Sequence, residues 1–149
     1  MKKVELHLSK TRLKDEELIS KLQGFLMAQI SPDFATFLHE QETNPYSMNL
    51  SSTRDESVWV VNLLSEEAEQ QMLAPLLNLE TIKLESYAEE ILVKKVEIHS
   101  LSQKALLDIY QDDAASHLIR VHFYTPTTFK RQGQFVLFPE TRLIFQSLM

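Results

Sequence analysis

The chain has 149 residues, a formal net charge of −6, 44% hydrophobic and 24% charged residues, and no cysteine. That composition suits a globular protein and excludes a disulfide framework or a thiolate metal site. No run of eighteen apolar residues is present to cross a membrane, and Met1-Lys2-Lys3-Val4-Glu5-Leu6 enters a charged strand without an apolar leader. The expectation is a soluble cytoplasmic protein.

Charge is unevenly placed. Residues 1–115 hold 11 Lys/Arg against 20 Asp/Glu, a balance of −9. Residues 116–149 hold Arg120, Lys130, Arg131 and Arg142 against Glu140 alone, a balance of +3. The two readings of this balance are chance placement in a short segment and a surface facing a polyanion in that last stretch.

Val4, Leu6 and Leu8 alternate with polar residues and predict an opening strand. Asp15-Glu16-Glu17 then supplies the acid a helix N-terminus favours, and Leu18, Leu22, Phe25, Leu26 and Ile30 follow at helical spacing. Ser31-Pro32 starts a short helix, Ser as N-cap and Pro in the first position, with His39-Glu40 at its end. After the Asn44-Pro45 break, Tyr46, Met48 and Leu50 alternate as a strand, and Val58–Leu64 reads as a buried strand containing Trp59. Ser65-Glu66-Glu67 opens a second long helix toward Leu77, which Pro75 is expected to end early. Ile82–Leu84, Ile91–Val93 and Val96–Ile98 read as strands, and Ser102–Tyr110 as a further helical turn or two.

Strand, helix, strand, strand, helix, strand is the ferredoxin-like βαββαβ order, a four-stranded antiparallel sheet with two helices on one face. The expected fold class is therefore α+β. A ferredoxin-like domain over residues 1–113 ends at the linker candidate Asp112–Ser116. Residues 116–149 read as the beginning of a second such domain, cut short: a strand over His117–Tyr124, the Thr125-Pro126-Thr127 break, a hairpin turning at Gly133 and the start of an amphipathic helix.

Several patterns fall in a recognisable order. They are Leu22-Gln23-Gly24-Phe25-Leu26, Leu38-His39-Glu40, Pro45-Tyr46-Ser47, Tyr124-Thr125-Pro126-Thr127-Thr128-Phe129-Lys130, and Phe138-Pro139-Glu140 leading into Leu143–Leu148. The ordered set resembles the CRISPR-associated endoribonucleases of the RAMP superfamily. The resemblance implies tandem ferredoxin-like domains and a cytoplasmic RNase needing no metal or cofactor. Its product ends would be a 2′,3′-cyclic phosphate and a 5′-hydroxyl. Its substrate would be precursor CRISPR RNA, cut within the repeat, with an effector complex as a further partner. Such proteins are longer than this chain and carry a glycine-rich loop near their C-terminus, whereas the only glycines here are Gly24 and Gly133. Separately, Leu143, Ile144 and Leu148 of the cut-short segment form an apolar face that makes a second copy of the chain a candidate partner.

On that resemblance His39 matches the catalytic histidine after the first helix. The match is incomplete elsewhere. A helpful tyrosine of the first helix is replaced by Met27, and the lysine some members carry is missing from Gln41–Pro45, leaving Tyr46 and Ser47 as nearby polar groups. Lys21 is a further candidate RNA contact, and Lys130 and Arg131 are candidate phosphate contacts. These departures keep open a second class of function, an RNA-binding or scaffold subunit without catalysis. His7, His117 and His122 read as half-buried strand histidines, and His99 as the end of a strand. No histidine pair has metal-ligand spacing, and Trp59 reads as core.

Overall fold

Alternation in the first strand puts Val4, Leu6 and Leu8 on one face of β1 (Lys2–Leu8), and all three are completely buried. The structure, a computed structural model, describes residues 1–41, 44–84, 87–111, 122, 129–131, 134–138 and 140–148. The chain forms two compact units, Met1–Asp108 and Ile109–Met149.

In the first unit, β2 (Tyr46–Ser52), β3 (Ser57–Leu63), β4 (Thr81–Leu84) and β5 (Glu89–Ser100) join β1 in one sheet of order β2-β3-β1-β5-β4. Every pairing is antiparallel. This is a ferredoxin-like arrangement in an α+β unit, with one strand more than the four expected. The short segments Ile91–Val93 and Val96–Ile98 are one continuous strand, β5. Its first residues pair with β4 and the rest with β1. His7 faces Lys95 and Leu8 faces Val93, so Lys94 is an extra residue at a bulge. That bulge resets the alternation that made β5 look like two strands.

Three helices cover the apolar face. α1 (Asp15–Gln29) buries Leu18, Leu22 and Leu26, one turn apart. Each such leucine contributes about 1.5–3 kcal/mol. Ser52 Oγ donates to Asp15 Oδ1 at 2.7 Å, tying the start of α1 to the end of β2. α2 (Pro32–Glu40) starts as expected, with Ser31 Oγ accepting from the Phe34 amide at 3.3 Å. α3 (Glu66–Leu77) is capped by Ser65 and buries Ala68, Met72 and Leu76. Pro75 does not end α3 early. It lies in the last turn, and the Asn78 amide still closes on the Ala74 carbonyl at 3.2 Å. Trp59 sits fully buried in the middle of this core.

α4 (Gln103–Gln111) follows β5, its first turn capped by Ser102 Oγ accepting from the Ala105 amide at 3.0 Å. In the second unit, β6 (Phe129–Arg131) and β7 (Gln134–Val136) form an antiparallel hairpin, followed by α5 (Thr141–Leu148). The linker candidate Asp112–Ser116, the turn residue Gly133 and, apart from His122, the strand expected over His117–Tyr124 lie outside the described residues.

Candidate functional site

Phe34 and Leu38 anchor α2 in the core and leave His39 exposed in its last turn. Phe34 and Phe37 stack at 5.8 Å between centroids, which fixes the exit of the helix. His39 has no hydrogen-bond or ion-pair partner among the described residues. The imidazole is accessible, in the negative field of a helix C-terminus. An open hollow of about 240 Å³ lies between the end of α2 and the start of α3, lined by Phe37, Gln41, Asn44, Pro45, Ser65 and Glu67, with His39 not among its lining residues. Glu67 is held below the ordinary carboxylate value by its own backbone amide and by Ser65, so it stays an anion there.

Other sequence candidates separate in space. Met27 packs half-buried against the core and plays a packing part. Tyr46 and Ser47 are adjacent on β2 and therefore face opposite sides of the sheet. Tyr46 is 7% exposed and belongs to the core, leaving little of it for a ligand. Ser47 lies on the face away from the helices and accepts from Asn62 Nδ2 at 3.0 Å.

Lys21 sits on α1 with its ammonium 5.3 Å from the centre of the Tyr87 ring. Tyr87 Oη donates to Glu17 Oε1 at 2.5 Å, and that bond raises the phenol above its ordinary pKa. Around the pair is an open hollow of about 410 Å³, lined by Ser20, Lys21, Gly24, Phe25, Lys83 and Tyr87 among others. Lys83 and Tyr87 were not singled out from the sequence. Nothing local marks them, because the hollow forms only when β4 and its turn pack beside α1.

In the second unit Arg131 is 65% exposed along its side chain and pairs with Glu140 at 3.1 Å. The two line a recess of about 200 Å³ with Arg142. Lys130 lies on the same strand opposite Phe135, and its side chain is outside the described residues.

One cluster escaped the sequence reading. Glu5, His7 and Glu97 bring ligand-type atoms within 4.8 Å of one another on the open face of the sheet. His7 also reaches Glu56, so the half-buried, satisfied histidine expected there is what the fold contains. Lys3 pairs with Glu5, and Lys95 with Glu97 at 2.6 Å, neutralising the carboxylates that a cation would need. The Glu-x-His spacing on a strand, which puts both residues on one face, was the available signal.

Over all 149 residues the chain is 37% identical to a protein of Streptococcus thermophilus named CRISPR-associated endoribonuclease Cas6, of which it covers 61%. Over 132 residues, 85% of the chain, it is 33% identical to proteins of the same name from two strains of Mycobacterium tuberculosis, of which it covers 41%. The chain thus spans between two fifths and about three fifths of the length of these curated relatives. No family model matches it. No described helix is long and apolar enough to cross a membrane.

Proposed function

We propose that this chain, a homologue of proteins named CRISPR-associated endoribonuclease Cas6, works in a cytoplasmic endoribonuclease that cuts precursor CRISPR RNA within its repeats. The reaction is a metal-independent internal transfer. The 2′-oxygen attacks the adjacent phosphorus, the P–O5′ bond breaks, and the products carry a 2′,3′-cyclic phosphate and a 5′-hydroxyl. The step needs a base for the 2′-OH proton and an acid for the departing O5′. His39 takes one of these roles, because imidazole alone among ordinary side chains exchanges protons near neutral pH. Lys130, Arg131 and Lys21 hold RNA phosphates, and Ser47 is a polar contact. The cut RNA passes to a CRISPR effector complex, and a second copy of the chain is a candidate partner.

The observation that carries this reading is 37% identity over the whole chain with a protein named as an endoribonuclease, supported by an accessible histidine at the end of α2. The second reading is an RNA-binding or scaffold subunit without catalysis. It is favoured by Met27, which packs where a proton-transferring tyrosine would serve.

Single-turnover cleavage of labelled repeat RNA by the full protein separates the two. His39→Ala is expected to slow cleavage by on the order of a hundredfold, with RNA affinity nearly unchanged. Unchanged rates remove His39 from the mechanism. Tight binding without any cleavage by the unsubstituted protein selects the second reading.

A further inference from the structure

We infer that the hollow between α1 and the β4–β5 turn is a subsite for one nucleotide of single-stranded RNA, its base on Tyr87 and its phosphate on Lys21 and Lys83. The inference rests on the RNA-binding reading above and adds a place and a mode of contact to it.

Three observations converge. Two cations, Lys21 and Lys83, line one hollow within a stretch whose balance is −9. Neither forms an ion pair with a described residue. The same hollow is lined by an aromatic ring that is 40% exposed. The ring is pinned at its hydroxyl by Glu17, and the Lys21 ammonium lies over it. A fixed ring loses little freedom when a flat group stacks on it. Finally, α1 presents Gly24 to the hollow, and a Cβ added there would meet no heavy atom within 4 Å. The helix wall is therefore bare at that point and lets a ligand approach the backbone.

The combination fits a nucleotide better than simpler ligands. A bare anion needs the lysines but not the ring, and a flat apolar molecule needs the ring but not two lysines. At about 410 Å³ the hollow falls within the roughly 300–1,000 Å³ of small-ligand pockets. Lys21 moves from the ring to the phosphate, and the base takes the ring face it leaves. Among the described lining residues no amide side chain is set to read a base, so binding here tolerates any sequence.

The test is fluorescence anisotropy with the full protein, using a labelled single-stranded oligoadenylate and an abasic strand of equal length. Tyr87→Ala is expected to weaken oligoadenylate binding roughly tenfold, within the range for one lost base stack, and to leave the abasic strand unaffected. Lys21→Ala with Lys83→Ala should weaken both strands and flatten the salt dependence by about 1.4 log units per log unit of salt, the release expected for two phosphates. Gly24→Glu should weaken both strands while the melting temperature holds, because its side chain enters open space. Lys94→Ala with Lys104→Ala, an equal loss of charge elsewhere, should leave affinity unchanged. The inference is overturned if the unsubstituted protein binds and the three hollow variants bind equally well, or if the control pair loses as much as Lys21 and Lys83 together. A protein that cuts repeat RNA while these variants bind normally loses only the hollow. A protein that neither binds nor cuts RNA loses the broader reading as well.

Discussion

His7 on β1 meets Glu97 on β5 with its Nε2 3.2 Å from Oε2, while its Nδ1 lies 3.4 Å from Glu56 Oε2 in the turn before β3. One ring thus ties the central strand to both of its neighbours on the open face of the sheet. Glu97 is held below its ordinary value of 4.5, first by Lys95 and then by His7. Glu5 is lowered as well, chiefly by Lys3.

A carboxylate whose folded pKa is lowered stabilises the fold above its unfolded pKa, and that stability is lost as pH falls through the folded value. The first unit should therefore lose stability progressively below about pH 4.5. Both groups are half-buried on the open face of the sheet, so water and salt still screen part of the effect. Urea melts at several pH values are the measurement, and Glu97→Gln should flatten the acid limb. An identical limb in the variant assigns the acid sensitivity elsewhere.

Chelation should leave RNA cleavage intact. The chain has no cysteine, and the three-residue group of ligand type found among the described residues is already engaged by Lys3 and Lys95. Cleavage assayed with and without EDTA checks this. Loss on chelation with recovery on added magnesium refutes the metal-free chemistry.

Replacing Lys130 and Arg131 with Ala should weaken repeat-RNA binding and lower the salt slope by between about one and two units, roughly one per lost phosphate contact. Sequence preference should barely move, since phosphate contacts position RNA without reading it. The Arg131–Glu140 pair adds a corollary. Glu140→Ala releases the guanidinium and should tighten binding. Affinities titrated against salt for both variants decide it, and unchanged slopes leave the β6–β7 hairpin a solvated turn.

Ala88 adopts φ 49°, a left-handed backbone, in the turn between β4 and β5. A Cβ costs about 1–2 kcal/mol there, and glycine avoids most of that. Ala88→Gly should raise stability by up to about 1 kcal/mol after the entropy of glycine in the unfolded chain is counted. Thermal melting is the check, and a lowered midpoint contradicts the strain.

Much of the first unit was legible because its elements follow simple periods. Val4-x-Leu6-x-Leu8 and Leu18-x₃-Leu22-x₃-Leu26 mark their faces directly, and Ser31-Pro32 marks the start of the helix that carries His39. β5 was misread because an inserted Lys94 breaks the two-residue period, which no local rule distinguishes from a strand end. The fifth strand has a different source, the β4–β5 hairpin that follows α3 where the four-stranded order has a single strand. Of the site, His39 could be placed from its cap, but Lys21, Lys83 and Tyr87 are joined only by tertiary packing. Tyr46 shows the converse, since a polar tip in a strand says nothing of whether the ring beneath it turns inward.

The central strand of the sheet is the first one made. Val4, Leu6 and Leu8 leave the ribosome early, yet β3 must be synthesised before one edge of β1 is paired and β5 before the other. Until Leu63 has emerged an apolar strand with two open edges waits on the growing chain, and one edge stays open until Ser100 follows. Such long-range closure slows folding and exposes a template for wrong pairing. Lys2, Lys3, Glu5 and His7, interleaved with the apolar residues, keep that waiting strand from joining another nascent chain edge to edge.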